Sequence, residues 1–306
     1  MLRKCTRSLG RCGWLASLIV LAVVCGCQTR LAPPPADWQA WRERRAQDIA
    51  GPDGWASLAG LFWLQEGEHW IGARGDVAIH LPPNSAPNVV GTLRREGGRV
   101  WFTPVPGVRT MLRGYAVTAE RELVTDIDGS PDILECGRVK FWILHRGDRR
   151  GVRVRDPEAP ERLAFRDIPV FLYNPGYRVT ARFEPYQPVR KIEVADVTGG
   201  KSEENCPGAL VFTLHDQEVR LDVIDDAEAN DFFLIFKDAT SGKDTYGGGR
   251  FLHVPRPNDL GEVQIDFNRA YNPPCGFTPF ATCPVPPRQN WLSVPIKAGE
   301  RKPLGH

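Results

Sequence analysis

Short runs of β-branched and alternating residues, separated by Gly, Pro and Asp turns, recur along most of the chain. Alternation places successive side chains on opposite faces of a strand, and the turn residues end each run after a few positions. The runs are Val77–Leu81, Val100–Thr103, Val139–His145, Gly151–Arg155, Tyr177–Phe183, Val189–Val194, Ala209–Leu214, Glu218–Val223 and Phe232–Phe236. This pattern predicts a mainly β protein.

One segment near the start has the periodicity of a helix instead. Asp37 can cap a helix N terminus, and a stripe of large side chains follows it. The stripe is Trp38, Trp41, Arg45 and Ile49. We therefore expect a helix from Asp37 to about Ile49 that packs on the rest of the domain.

The length and composition allow one or two hydrophobic cores. The chain has 306 residues, 42% of them hydrophobic, which is enough to bury a sizeable interior. We expect a globular region over residues 37–300, formed by the helix and one or two β-sandwich or barrel-like units. A break near Pro157–Pro160 would divide it into a sandwich over residues 58–157 and a β unit over residues 163–300. The proline-rich residues 27–36 are expected to form a tether.

The first residues have the features of an export signal. Four basic residues precede an apolar run, residues 14–24, which is too short to span a bilayer comfortably. The run ends in Val24-Cys25-Gly26-Cys27, with a small residue before the second cysteine. This arrangement resembles the bacterial lipoprotein cleavage box. A plain secretory signal or an uncleaved amphipathic anchor is the alternative.

The resemblance to lipoproteins implies a location for the protein. Residues 1–26 would be removed as a signal peptide, and Cys27 would carry the lipid that holds the protein at a membrane. Gln28, rather than Asp, follows the cysteine, which in lipoproteins favours sorting to the outer membrane. We expect a lipid-anchored protein of the cell envelope, on the periplasmic face of the outer membrane.

The charge of the mature chain gives no reason to expect nucleic acid as a partner. The chain has 39 basic and 37 acidic residues, and the signal segment holds four basic and no acidic residues. The mature chain therefore keeps 35 basic and 37 acidic residues, a net charge of −2. A nearly neutral domain lacks the basic surface that phosphate backbones require. The expected partners are the membrane, through Cys27, and a small molecule, glycan or envelope protein.

Four cysteines remain after Cys27: Cys136, Cys206, Cys275 and Cys283. An even number in an oxidising compartment permits two disulfides in three possible connectivities. Cys275 and Cys283 are close enough in sequence to bridge a short loop. No C-x-x-C pair and no histidine at ligand spacing accompany the four cysteines, so neither a metal site nor a cofactor is expected. A Cys275 nucleophile is a further alternative, for which no partner histidine is identifiable.

The C-terminal segment combines prolines, amides and charges, and it contains the candidate site. Prolines 273, 274, 284, 286 and 287 fix an irregular loop. The candidate ligand-binding residues are Thr245, Tyr246, Arg250, Asn268, Tyr271 and Asn272. The weak catalytic candidates are Asp238, Arg250 and Asp266.

Arg250 can be interpreted in two ways. If its strand pairs with that of Asp266, the guanidinium can meet that carboxylate and bind an anionic group in a polar pocket. The alternative is a buried ion pair and amide network that fixes the proline loop to the sheet. The sequence lacks the motifs of the commonest hydrolases, nucleotide-binding proteins and zinc proteases. It contains no G-x-S-x-G, no P-loop and no H-E-x-x-H.

Three other patterns are more often structural than functional. The oxygens of residues 126–135 could hold calcium, but their spacing fails the EF-hand loop and favours a turn. The arginines of residues 145–155 lie on one strand face with valines on the other, which indicates a solvated hairpin. Four aromatic residues could stack a sugar, although their apolar neighbours favour core positions. They are Trp55, Phe62, Trp63 and Trp70.

Two resemblances to known families are visible. Leu64–Gly72 followed by Val77–Leu81 looks like the start of a forkhead-associated (FHA) sandwich, a family that binds phosphothreonine through Arg, Ser and Asn. Ala73-Arg74 replaces the usual Arg here and no Ser-x-x-His follows, so only the architecture is implied. Gly51–Leu64, Phe236–Phe251 and the Asp266–Glu300 stretch resemble the bacterial family DUF1684 over nearly the whole mature chain. That family implies no catalytic residues.

Three functions are consistent with these features. The first is an envelope lipoprotein that binds a ligand, glycan or partner at the C-terminal proline-loop face. The second is a hydrolase that uses Asp266 as the carboxylate and Arg250 as an electrophilic clamp. The third is a structural component of the envelope. Whether the protein is an enzyme stays open at this point.

Overall fold

A computed structural model describes residues 33–304. The signal peptide, Cys27 and most of the tether that the sequence predicts lie outside the described residues. The chain begins with helix α1 (Ala36–Ala50), and a short helix α2 (Pro160–Ala164) follows later. No helix in the described part of the chain is long and apolar enough to cross a membrane.

The predicted stripe of α1 is buried at three of its four positions, and the fourth, Trp41, is half-buried. Trp38, Arg45 and Ile49 are buried on one side of the helix. The predicted cap is wrong, because Pro35 occupies the capping position and no side chain caps the helix. Asp37 lies in the first turn, where the positive end of the helix dipole stabilises its carboxylate. It also pairs with Arg269.

Strands from the first half of the described chain form two sheets. They are β1 (Leu58–Trp63), β2 (Gly67–Gly72), β3 (Ile79–His80), β4 (Gly91–Glu96), β5 (Arg99–Pro104), β6 (Met111–Leu112), β7 (Tyr115–Ala116), β8 (Arg121–Glu122), β9 (Leu134–Cys136), β10 (Val139–Arg146) and β11 (Arg149–Arg155). One sheet has the order β1-β11-β10-β9-β6-β7 and the other β3-β2-β4-β5-β8. Their inner faces share one core, in which Phe102 and Phe141 meet edge to face at 5.9 Å.

Strands from the second half form two further sheets. They are β12 (Arg178–Ala195), β13 (Lys201–Leu214), β14 (Gln217–Asp222), β15 (Ile224–Asp226), β16 (Asp231–Phe236), β17 (Arg250–Val254) and β18 (Glu262–Asp266). The orders are β14-β13-β12-β18 and β15-β16-β17. A second core joins both sheets, with Phe267 in contact with Phe212 and Phe236. The mainly β fold with one N-terminal helix is thus confirmed, and the division at residue 157 stays a prediction.

Two predicted strands, Tyr177–Phe183 and Val189–Val194, are parts of the single long strand β12. Its register with β13 is irregular between Pro185 and Arg190. Pro185 and Pro188 have no backbone N–H to donate to the ladder, so pairing is interrupted while the strand continues.

Residues 267–304 form the C-terminal tail, which has short 3-10 turns and single bridges. The bridges join Phe251 to Tyr271, Asp196 to Pro284, Lys237 to Trp291 and Val170 to Glu300. Gly299 has a positive φ of 75°, and a Cβ there would lie 2.3 Å from the carbonyl oxygen of Ala270. Glycine is therefore required where the tail passes so close to its own backbone.

The arginine face of β11 is not the solvated surface that the sequence indicated. Val152 and Val154 face the first core, as expected. Arg153 on the other face is only 5% exposed, and its Nη2 donates to Thr282 Oγ1 of the tail at 3.2 Å. Trp55 also lies against its guanidinium. The tail therefore covers this face of the first sandwich.

Candidate functional site

Arg250 lies at the start of β17 and is completely buried, with 0% of its surface exposed. Its Nη2 donates to Asp238 Oδ2 at 2.7 Å and to the carbonyl of Ile296 at 2.8 Å, and Nη1 donates to the carbonyl of Ala298. Burial lowers the pKa of Arg250, and Asp238 opposes this shift. The guanidinium therefore joins the second sheet pair to the tail, inside the protein.

Asp238 is held as firmly as its partner. Its Oδ1 accepts hydrogen bonds from the N–H and hydroxyl of Thr240 at 2.8 and 2.6 Å, and from the N–H of Ile296 at 3.2 Å. These donors and Arg250 together satisfy a carboxylate that has no access to solvent. Asp238 and Arg250 cannot contact a ligand in this conformation.

The pairing of Arg250 with Asp266 that the sequence suggested is wrong. Strand β17 pairs with β16, whereas β18, which ends at Asp266, pairs with β12. Asp266 caps the turn that follows it by accepting from the N–H of Asn268 at 3.0 Å. Its cationic neighbours are Arg178 at 3.8 Å and Arg269 at 3.9 Å. Asp266 and Arg250 thus belong to separate networks.

Three of the candidate ligand-binding residues are also buried. Thr245 exchanges a hydrogen bond with Thr240, Asn268 binds the backbone of Asn174 in both directions, and the Nδ2 of Asn272 donates to the carbonyl of Arg301. These contacts fix loops to one another. Of the six candidates, only Tyr246 and Tyr271 are partly exposed.

A second buried ion pair joins α1 to the tail. Arg45 Nε lies 3.0 Å from Glu300 Oε1, and Arg45 Nη2 donates to the carbonyl of Asn272 at 2.6 Å. The other oxygen of Glu300 accepts from the N–H of Asn272 at 2.7 Å. Burial raises the pKa of Glu300, and Arg45 opposes that rise. The guanidinium of Arg45 also lies over the ring of Tyr271, 4.7 Å from its centroid.

Beside Arg45 lies a cleft with a volume of about 1020 Å³. Helix α1 and the turn after it supply one side, and β16, β17 and the tail supply the other. Its aromatic lining residues are Trp41, Trp55, Phe233, Phe251 and Tyr271. Its polar lining residues are Arg45, Gln47, Asp48, Asp53, Arg155 and His253.

Part of the lining of the cleft is charged. Asp53 lies 2.8 Å from Lys140 Nζ and 3.5 Å from Arg155 Nη1. The hydrogen bond from Lys140 is the main reason that the pKa of Asp53 is lowered. Burial lowers the pKa of Arg155, whose Nε makes no hydrogen bond within residues 33–304. At neutral pH the cleft therefore offers both an ionised carboxylate and a guanidinium.

At one end of the cleft, three side chains form a group that could hold a metal ion. The Nδ1 of His253 lies 3.1 Å from Asp231 Oδ1 and 3.9 Å from Asp226 Oδ2. All three ligand atoms lie within 4.8 Å of one another, and carboxylates with an imidazole suit divalent transition metals. Phe233 and Tyr271 stack on the histidine ring. A hydrogen bond between His253 and Asp231 accounts for part of the same arrangement without an ion.

Sequence reasoning missed this cleft and the His253 group. Asp226 and Asp231 are on paired strands and His253 follows on the next strand, so β pairing rather than sequence spacing brings them together. Two of the carboxylates of residues 126–135, for which the sequence favoured a turn over a calcium site, make ion pairs with arginines instead. Asp126 pairs with Arg146 at 2.8 Å, and Asp132 with Arg113 at 3.0 Å.

All four cysteines of the described residues are free thiols. Cys136 is buried in the first core and Cys206 is buried on β13, so these two do not form a bridge. Cys275 and Cys283 are packed in one hydrophobic cluster with Phe251. The structure thus brings together one pair of the four cysteines, Cys275 and Cys283, and leaves Cys136 and Cys206 apart.

Comparisons with known proteins extend these observations. Residues 163–301 match the family model described as "Protein of unknown function (DUF1684)", a range that does not include the Gly51–Leu64 stretch. An uncharacterized protein of Haloarcula marismortui, known from a solution structure, is 30% identical; the match covers 49% of this chain and 85% of that chain, with a TM-score of 0.41.

Two of the other solved structures are FHA domains. The N-terminal FHA domain of EssC, a component of the bacterial Type VII secretion apparatus, is 18% identical and covers 32% of this chain and 46% of that chain, with a TM-score of 0.25. The FHA domain of FhaA is 20% identical, and the match covers 31% of this chain and 97% of that chain, with a TM-score of 0.22. No curated protein matches the sequence.

The first prediction concerns the buried pair. We expect Arg250→Met to lower the free energy of unfolding by about 3–5 kcal/mol, because Asp238 is left buried without its counterion. The double variant Arg250→Met/Asp238→Asn should recover part of this loss. Arg178→Met is the matched control, because Arg178 lies near the more exposed Asp266. It should lower the free energy of unfolding by less than about 1 kcal/mol. Urea unfolding measures all three, and equal losses in Arg250→Met and Arg178→Met would contradict the account.

Proposed function

We propose a function on the premise that the chain belongs to the DUF1684 family, from which no activity can be transferred because the family's function is unknown. The protein binds an oligosaccharide in the cleft between α1 and the β16–β17 face, as a non-catalytic binding protein of the cell envelope. The observation that carries this proposal is the combination of partly exposed aromatic rings with an ionised carboxylate and a guanidinium in one cleft.

Sugars have the chemistry that this lining would recognise. Their C–H faces stack on aromatic rings, while their hydroxyl groups both donate and accept hydrogen bonds. Trp41 and Trp55 reach the cleft from the helix side, and Tyr271 from the tail. Asp53 can accept hydrogen bonds and Arg155 can donate them from the lining of the cleft.

The size of the cleft favours an oligosaccharide over a single sugar. Pockets for small ligands have volumes of about 300–1,000 Å³, and this cleft has about 1020 Å³. Its position also agrees with the proline-loop face at which the sequence suggested binding, because Tyr271 and Pro274 form part of the wall.

The hydrolase alternative has weaker support. Asp266 and Arg250, on which it was based, lie in separate networks, and Arg250 is fully buried. A glycosidase also needs a general acid with a raised pKa. The pKa of Asp53 in the cleft is lowered instead. A purely structural role in the envelope is the outcome that a failed binding test would favour.

The envelope location rests on residues before the described part of the chain. We infer that the signal peptide is removed before Cys27, which then carries the lipid, and that residues 27–36 separate the domain from the outer membrane. A saccharide-binding domain held in this way would face the glycans of the periplasm.

The binding prediction uses an array of soluble oligosaccharides, including peptidoglycan glycan fragments and neutral glucans, followed by titration calorimetry. Trp41→Ala should weaken binding about tenfold or more, because an aromatic stacking surface is lost. Trp70→Ala is the matched control, since Trp70 is 49% exposed on β2, away from the cleft. Equal affinities for the wild type and Trp41→Ala, or no bound saccharide, would contradict the proposal.

The location prediction concerns Cys27. In a bacterium that processes lipoproteins, mass spectrometry should find a mature N terminus at Cys27 with a diacylglyceryl group. Cys27→Ser should leave the uncleaved precursor, whereas Cys25→Ser, the neighbouring control, should be processed normally. Cleavage at another residue, or a Cys27→Ser protein that is still lipidated, would show that the assignment is wrong.

A further inference from the structure

Cys275 and Cys283 are positioned for direct reaction with each other. The loop between them brings both into one hydrophobic cluster. The backbone N–H of Cys275 donates to Cys283 Sγ, with 3.1 Å between nitrogen and sulfur. The two thiols are also close enough for one to donate to the other. Cys275 is partly exposed, whereas Cys283 is buried.

Tyr246 adds a donor on the Cys275 side. Its hydroxyl lies 3.7 Å from Cys275 Sγ and 3.1 Å from the carbonyl oxygen of Cys275. The hydroxyl has one proton, which can turn from the carbonyl oxygen to the sulfur when Cys275 ionises. A hydroxyl that donates to sulfur stabilises the thiolate over the thiol, because the charged sulfur is the better acceptor.

Arg153 adds a positive charge on the Cys283 side. It is buried against the tail, and its hydrogen-bond partner there is the neutral hydroxyl of Thr282, the residue before Cys283. Its Nε makes no hydrogen bond among residues 33–304. Burial lowers the pKa of Arg153 to about 10, so it stays charged at neutral pH. A negative charge on the cysteine pair would offset this buried cation.

The pKa of Cys275 therefore depends on its neighbours in this cluster. The hydrogen bond from Cys283, supported by Tyr246, lowers the pKa of Cys275 to about 7. Burial raises the pKa of Cys206 to about 11 and also raises that of Cys136. Among the four cysteines that the structure describes, Cys275 is thus the one that combines thiolate character with access to solvent.

We propose that Cys275 and Cys283 form a thiol–disulfide exchange site whose substrates are small-molecule disulfides. The Cys275 thiolate attacks one sulfur of the disulfide, that bond breaks, and one thiolate leaves and takes a proton from water. Cys283 then attacks Cys275 Sγ while its proton passes to the second thiolate, which leaves as a thiol. The net reaction converts one disulfide into two thiols, and the two cysteines lose two electrons and two protons to form the Cys275–Cys283 bond.

The test uses the full chain, reduced with dithiothreitol and then exposed to defined ratios of reduced and oxidised glutathione. Trypsin places both cysteines, and no other, in the peptide of residues 270–288. After alkylation and digestion, mass spectrometry should show this peptide two hydrogens lighter in oxidised buffer and doubly alkylated in reduced buffer. Cys136 and Cys206 should stay unmodified until the protein is unfolded.

Single variants separate the roles of the two cysteines. Cys283→Ser should accumulate a glutathione adduct on Cys275, because the resolving thiol is missing. Cys275→Ser should leave Cys283 without an adduct, because Cys283 is buried. Tyr246→Phe should slow the alkylation of Cys275 at pH 7 by about fivefold if the pKa rises by about one unit.

Three results would overturn the proposal. The first is a peptide that stays doubly alkylated at every glutathione ratio. The second is a disulfide that forms but resists reduction in the folded protein, which would make it a permanent staple. The third is a Cys275 that is alkylated no faster than Cys136 and Cys206 in the native state.

Discussion

The guanidinium of Arg250 holds together three parts of the chain that are distant in sequence. It lies on β17, pairs with Asp238 after β16, and binds the carbonyl groups of Ile296 and Ala298 in the tail. A buried charge of this kind costs free energy unless its donors find partners. Both terminal nitrogens of Arg250 find theirs, although Nε makes no hydrogen bond among residues 33–304, so the geometry permits few alternative positions of the tail. The irregular backbone of residues 267–304 can therefore be ordered without a strand ladder of its own.

The cleft depends on that ordering. Once the tail is fixed, Glu300 lies where Arg45 of α1 can reach it, and the helix is attached to the opposite side of the cleft. Arg45 in turn supports the ring of Tyr271, which lines the wall. The tail also covers Arg153 and places Cys283 beside it. One buried network thus positions both the proposed saccharide cleft and the cysteine pair.

The sequence predicted those features that depend on local pattern. Alternation identified β11, whose valines enter the core, and helical spacing identified α1 with Arg45 and Ile49 on its buried side. The partner of Arg250 could not be predicted, because the choice between Asp238 and Asp266 depends on which strands pair. The arginine face of β11 was misjudged for a similar reason: its cover comes from residues near 282, more than a hundred positions later. Tertiary contacts of that range leave no periodic signal in the sequence.

Native-state hydrogen exchange of individual amides tests most directly whether the tail is an integral part of the fold. The informative amides are those of Ile296, which donates to Asp238, and Asn272, which donates to Glu300. The account predicts that these amides exchange only through global unfolding, with the same opening free energy as the amides of the β10–β11 pair. Exchange at a free energy lower by about 2 kcal/mol or more would show that the tail detaches on its own, and would contradict the account.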